Sequence, residues 1–158
     1  KIISDLLKNK PNIKFSSDFI IGYPGETEED FENTLNLLNE IKFINTYSFL
    51  YSPRPGTPAA SKNNYFQDDS KKRLEIFQKS ANLIKESYRK SLLNLEVSVL
   101  FENKMKDNES YFGRDEFQNS VIVKSDKDLV GKFLSVRINK HNINTLFGEL
   151  TKNENLAA

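Results

Sequence analysis

Cysteine and tryptophan are absent from this chain of 158 residues, and histidine and methionine occur once each. Without a thiol the chain forms no disulfide and offers no thiolate to a metal or an iron–sulfur cluster. The lone imidazole, His141, cannot build a histidine metal site by itself, and its expected place is the surface. No apolar run approaches the roughly 18 residues that a membrane-crossing helix requires, and no secretory pattern occurs. Glycine and proline are sparse, six and five residues, so where they gather the backbone is being told to turn. They gather at Gly22-Tyr23-Pro24-Gly25 and at Pro53-Arg54-Pro55-Gly56-Thr57-Pro58.

What is present suits a folded, water-facing protein of one ordinary domain or two small ones, with 37% hydrophobic and 28% charged residues. The chain starts at Lys1, and Ile2, Ile3, Leu6 and Leu7 have the spacing of a helix already under way. It therefore reads as a fragment that begins inside a larger domain. The net charge of +1 conceals an asymmetry: residues 1–69 carry seven basic and ten acidic side chains, residues 70–158 sixteen and twelve. A basic second half points mildly to nucleic acid, although a solvated charged face gives the same count.

The stretch Ser16 to Thr27 organises the first half. Phe19, Ile20 and Ile21 have the length and β-branching of a buried strand, within Ile13–Ile21. Gly22-Tyr23-Pro24-Gly25 then supplies an open backbone and a fixed φ, so the strand stops there. Thr27, with Asp30 three residues on, reads as a helix cap, and Phe31, Leu35, Leu38 and Ile41 recur at helical spacing. Asn45–Tyr51 is β-branched and aromatic, a second strand. Strand, helix, strand makes a parallel right-handed βαβ unit, which brings both Gly/Pro-rich turns to one rim, where ligands sit in such folds. Arg54, between prolines, is either a surface cation or a guanidinium held stiffly for a ligand or phosphate.

Ser61–Asp69 is polar and reads as a loop. Ser70 is expected to cap a long helix with Leu74, Phe77, Ala81, Ile84, Tyr88 and Leu92 on one stripe. From Leu93 the period changes to two. Five short apolar runs, around residues 95–101, 111–112, 121–123, 133–138 and 146–150, are separated by turns rich in Asn, Asp, Lys and Gly. They predict a small antiparallel barrel. Phe112 and Phe147 fit barrel packing as well as base stacking.

At the two rim loops the sequence resembles a known family. Asp18-Phe19-Ile20-Ile21-Gly22-Tyr23-Pro24-Gly25-Glu26-Thr27, followed by Tyr51-Ser52-Pro53-Arg54-Pro55-Gly56-Thr57-Pro58-Ala59, is similar to the radical S-adenosylmethionine methylthiotransferases. The second run is most like the branch acting on N6-isopentenyladenosine in tRNA. In that family the first run is a barrel strand with a Gly-x-Ile-x-Gly-x-x-Glu pattern beside the adenine of the cofactor. Ile20 and Gly22 match it; Asp18 replaces the first glycine and Glu26 lies one residue late. Gly113-Arg114, Gly131-Lys132 and Leu146-Phe147-Gly148-Glu149 resemble the TRAM domain, an RNA-binding barrel, in which arginine often stands at the position of Phe147.

The fold so implied is α/β plus all-β. Residues 1–69 are the C-terminal part of a partial (β/α)6 radical S-adenosylmethionine barrel, 70–92 a linker helix, 93–151 the TRAM barrel and 152–158 a frayed tail. The resemblance implies S-adenosylmethionine beside Ile20, Ile21, Gly22, Tyr23 and Glu26, and a substrate-pocket rim of Tyr51, Ser52, Arg54 and Thr57. It implies tRNA, through its anticodon stem-loop, on Phe112, Arg114, Lys132, Arg137, Lys140 and Phe147. The [4Fe–4S] ligands would lie in a preceding part of the protein, and no residue here is assigned a catalytic or metal-binding role. The expected activity is methylthiolation at C2 of the modified adenosine at position 37, with a sulfur donor as a further partner, in a cytoplasmic monomer whose fragment alone is inactive. Alternatives are a sister methylthiotransferase acting on threonylcarbamoyladenosine or a ribosomal protein, and a non-enzymatic RNA-binding module.

Overall fold

A computed structural model of the chain describes residues 2–62 and 67–151. Lys1, part of the expected loop at 61–69 and the expected tail at 152–158 lie outside the described residues. The chain divides into two compact units, residues 1–85 and 86–158.

In the first unit, α1 (Ile2–Asn9) precedes β1 (Ser16–Ile21), α2 (Glu28–Ile41) and β2 (Asn45–Leu50). β1 and β2 pair in parallel, Ser16 opposite Asn45 through Ile21 opposite Leu50, which is the expected βαβ unit. β1 begins three residues later than the sequence suggests, because Lys10 to Ile13 is held as a turn by an Ile13 N–H to Lys10 carbonyl bond. α2 starts in a complete capping box: Thr27 Oγ1 accepts from Asp30 N–H while Asp30 accepts from Thr27 N–H at 2.9 Å. It ends at Lys42 in the left-handed conformation, with Lys42 N–H returned to Leu38. Ile21, Phe31, Leu38, Phe43, Phe77 and Ala81 form the core of this unit.

α3 (Gln67–Ser91) contributes Phe77 and Ala81 to that core and runs on into the residues of the second unit. It begins at Gln67, so Ser70 is not its cap. Ser70 lies inside the first turns and is buried.

The second unit is a closed barrel of β3 (Glu96–Lys104), β4 (Ser110–Asp115), β5 (Ser120–Lys124), β6 (Phe133–His141) and β7 (Thr145–Leu150), in the order β3-β4-β5-β7-β6. The expectation of a purely antiparallel barrel is corrected at one seam: β5 and β7 run parallel. An odd number of strands cannot alternate direction all the way round, so one parallel pair is unavoidable. Val99, Phe101, Tyr111, Val121, Val123, Leu129, Val136, Ile138 and Leu146 fill the interior. Gly113 is the inward residue where β4 crosses closest to β3. A Cβ there would run into the Leu100 carbonyl and the Val99 side chain.

Candidate functional site

The rim of the first unit is built by the turn that follows β1. Gly22 (φ 78°) and Gly25 (φ 96°) are both left-handed, and Glu26 N–H closes the turn on the Tyr23 carbonyl at 2.8 Å. A side chain at Gly22 would also occupy the place of Ser70 Oγ and Cβ. The Glu26 carboxylate turns back under the loop. Its Oε2 accepts from Gly22 N–H at 2.9 Å, and its Oε1 from Arg73 Nη1 at 2.9 Å. Arg73 Nη1 also reaches the Glu26 carbonyl at 3.2 Å, and Nη2 reaches Glu28 at 2.7 Å. Burial opposes the charge on Arg73, but Glu28 and Glu26 outweigh it and hold its pKa above the usual arginine range. The guanidinium lies 5.5 Å from the centre of the Phe31 ring.

Beside this turn is an open cavity of about 620 Å³ lined by nine residues from the ends of both strands and the loop after β2. The period of two divides β1 between two surfaces. Ile20, 59% exposed, lines the cavity, while Ile21 is sealed in the core. Tyr23 lines it too and stands edge-on to Tyr51, ring centres 5.2 Å apart. Tyr51, Ser52, Arg54 and Thr57 are all brought to the wall. Arg54 is fixed at its backbone, where its carbonyl accepts from the Thr57 hydroxyl at 2.9 Å and from Thr57 N–H at 3.2 Å. Glu26 has both oxygens engaged away from the cavity, which its wall does not include. Phe49, Leu50 and Ala59 complete the lining and were not anticipated. The signal for Phe49 was present, since it shares its face of β2 with Tyr47 and pairs with Ile20. Aromatic walls with one guanidinium suit a flat, largely apolar body that carries an anionic or hydrogen-bonding group.

In the second unit, Phe112 on β4, Ile122 on β5 and Phe147 on β7 are register partners. They alternate with the buried Tyr111, Val121 and Leu146, so they form one row on the outside of the barrel. Phe112 and Phe147 are half-buried there and absent from the core cluster. A cation lies over each ring: Arg114 5.2 Å from the centre of Phe112, and Lys140 5.9 Å from that of Phe147. Arg114 is also paired with Glu102 at 3.2 Å. Arg137 lies elsewhere, in a row with Glu96 and Glu149, and is bonded to Glu96 at 2.8 Å. Lys132 is exposed in the loop before β6. The structure thus gathers Phe112, Arg114, Phe147 and Lys140 on one face and separates Arg137 from them.

One buried polar group was not legible in the sequence. Asp115 accepts from Phe117 N–H (2.9 Å), Asn119 N–H (2.8 Å) and Asn119 Nδ2 (2.8 Å), and so organises the β4–β5 turn. Asn119 Nδ2 also donates to the Tyr88 hydroxyl at 3.2 Å. Arg89 is buried nearby. Burial lowers its pKa, while Asp115 and Tyr88 raise it against that effect. Burial raises that of Tyr88.

Residues 84–151 match the family model of the TRAM domain. Over 153 residues the chain is 50% identical to a tRNA-2-methylthio-N(6)-dimethylallyladenosine synthase of Pelagibacter ubique (strain HTCC1062), covering 96% of this chain and 34% of that protein. Proteins of the same name from Rickettsia bellii (strain OSU 85-389) and Buchnera aphidicola subsp. Baizongia pistaciae (strain Bp) are 40% and 41% identical over 151 and 156 residues. These alignments cover 94% and 98% of this chain, and 34% and 35% of the two relatives. The chain thus spans about a third of the length of these curated relatives. The resemblance drawn from the two rim loops and the barrel motifs extends over nearly the whole chain.

Proposed function

We propose that this chain is the C-terminal third of a radical S-adenosylmethionine tRNA methylthiotransferase, which adds a methylthio group to C2 of N6-dimethylallyladenosine next to the anticodon. The observation that carries the reading is its 50% identity over 153 residues, a span holding both rim loops and the barrel, to a protein of that name.

The residues of the cavity fit an adenosine-bearing cofactor. Ile20 and Tyr23 offer apolar surface to a purine, and the exposed face of β1 and β2, with Ile20, Tyr47 and Phe49, is a surface that further barrel strands would enclose. Bound there, S-adenosylmethionine supplies the radical chemistry of the reaction. Residues of this chain hold and orient: the aromatic wall excludes water, and Arg54 stands where the substrate enters. A [4Fe–4S] cluster has no ligand set here, since the chain holds no cysteine. Its ligands would come from the other two thirds of the protein.

The barrel serves as the RNA grip. Its strand order is that of an OB-type barrel, whose second and third strands and adjoining loops take up oligonucleotides. Here those strands are β4 and β5, and they carry Phe112, Arg114 and Ile122. Arg114, Lys132 and Lys140 would meet phosphates while Phe112 and Phe147 receive unpaired bases.

The test is methylthiolation of dimethylallyladenosine-containing tRNA by the full-length protein, prepared anaerobically with its clusters. Arg54→Ala should lower turnover by about tenfold or more, the loss expected of one charge-assisted contact, with melting unchanged. Product on threonylcarbamoyladenosine instead, or none with any tRNA, would overturn the reading.

A further inference from the structure

We infer that Arg73 is a positioning residue: through Glu26 it clamps the Gly22–Glu26 turn and thereby sets Tyr23 in the cavity wall. The inference rests on the cofactor reading above for its ligand, and on geometry alone for the clamp.

The turn itself is permissive. Gly22 and Gly25 are both left-handed, a backbone that can leave this shape at little steric cost. What holds it comes from α3. Ser70 fills the space that Gly22 leaves for want of a Cβ. One helical turn further, on the same face, Arg73 reaches the carbonyl and carboxylate of Glu26 at 3.2 and 2.9 Å. Glu26 in turn accepts from Gly22 N–H at 2.9 Å. The chain of contacts Arg73–Glu26–Gly22 closes a loop of five residues from its two ends. Tyr23, one residue beyond Gly22, is the ring that faces Tyr51 across the cavity wall. The Arg73 and Glu26 side chains are only 17% and 13% exposed, so this pair is shielded from the screening that makes surface ion pairs weak. Glu28, at 69% exposed, is the partner more open to solvent screening and does not touch the turn's Gly22 end. Neither Arg73 nor Glu26 lines the cavity; their effect on a ligand passes through the backbone they fix.

Hydrogen–deuterium exchange and equilibrium binding of S-adenosylmethionine, both on the full-length protein without turnover, test this. Arg73→Gln should speed exchange of the Gly22 and Glu26 amides by about tenfold and weaken cofactor binding by a similar factor. Amides in the middle of α2 should keep their wild-type rates. Arg73→Lys, which keeps the charge but loses the fork, should recover part of both losses. Glu26→Gln combined with Arg73→Gln should lose no more than the worse single variant, since the two act as one unit. Unchanged exchange at Gly22 in Arg73→Gln overturns the clamp, as does faster exchange spread evenly over residues 16–50. Faster exchange with unchanged cofactor affinity overturns its link to the ligand. A wild-type protein that binds no S-adenosylmethionine would sink the cofactor reading, and with it that link, while the exchange arm still decides on the clamp.

Discussion

Phe101 in β3 is sealed inside a closed barrel, whereas Phe49 in β2 is 56% exposed, although both strands alternate their side chains with a period of two. The difference lies in how each sheet ends. The barrel pairs every strand on both sides, β3 with β4 and β6, β7 with β5 and β6, so no edge is left open and the alternation has a defined inside. Among the described residues, β1 and β2 pair only with each other. Helices α2 and α3 cover one face, and Ile20, Tyr47 and Phe49 stand exposed on the other. Parallel sheets are normally covered on both faces, and two strands alone are marginal. An aromatic in such a strand is therefore no measure of a core, and the exposed set is the surface on which the proposed function places a ligand and further strands.

The two phenylalanines separate the closed barrel from the open sheet most directly. Phe101→Ala should destabilise the barrel by about 3–5 kcal/mol, read as a lower urea midpoint. Phe49→Ala, measured in this 158-residue chain where that face of β2 is open, should stay within about 0.5 kcal/mol. Equal losses would mean that the exposed face of β2 is packed in solution, and the contrast between the units would fail. Next in size is the buried polar group at the β4–β5 turn. Asp115→Ala leaves three N–H donors without their acceptor and the buried Arg89 without its nearby counter-charge, and should cost about 3 kcal/mol. Its exposed neighbour Glu116 should tolerate alanine within about 0.5 kcal/mol.

The same contrast explains what the sequence could reveal. The βαβ unit was legible because Phe31, Leu35, Leu38 and Ile41 follow a helical period, and because Thr27 with Asp30 marks the start of α2. The five barrel strands were legible from their period of two. Besides the buried Asp115–Asn119 group, three features were not. The start of α3 at Gln67 was displaced to Ser70 because serine is a good cap, yet its burial beneath Gly22 comes from tertiary packing that no local propensity reports. The parallel seam between β5 and β7 depends on closure of the whole barrel. At the rim, alternation separates Ile20 from Ile21, but that Glu26 turns inward to Gly22 and Arg73 depends on a partner 47 residues away.

On the barrel surface the expected effects are smaller and fall on binding. Replacing Arg114 and Lys132 by Gln in the full-length protein should weaken tRNA binding and flatten its dependence on log salt by roughly 1–2 units, about 0.7–0.9 for each phosphate no longer neutralised. Arg137→Gln serves as the control. It lies between Glu96 and Glu149 on a separate row and should leave the slope nearly unchanged. A larger effect from Arg137 than from the pair would move the RNA face to the row of Glu96, Arg137 and Glu149. Phe112→Ala then separates packing from stacking: a half-buried outer ring should cost tRNA affinity by about 1–3 kcal/mol, with a smaller change in the urea midpoint than Phe101→Ala.

The smallest effect concerns acid and treats the two units alike. Asp107, in the turn between β3 and β4, has its carboxyl held below the usual range by the Ser110 hydroxyl and by the Ser110 and Glu109 N–H groups. Asp30, in the capping box of α2, is lowered for the same reason by the Thr27 N–H and hydroxyl. A carboxyl whose folded pKa lies below its unfolded value binds fewer protons in the folded state around that range. Its contribution is complete above the unfolded value, near pH 4, and is lost as pH falls through the folded one. The urea midpoints of wild type and Asp107→Ala should therefore differ at pH 7 and converge as the pH is taken below about 4. Asp30→Ala should behave in the same way. A gap that stays constant down to the lowest pH at which the protein is folded would mean that these carboxylates act by shape, as turn fillers, and not by charge. Convergence for Asp107 without convergence for Asp30 would place the acid-labile caps in the closed barrel alone.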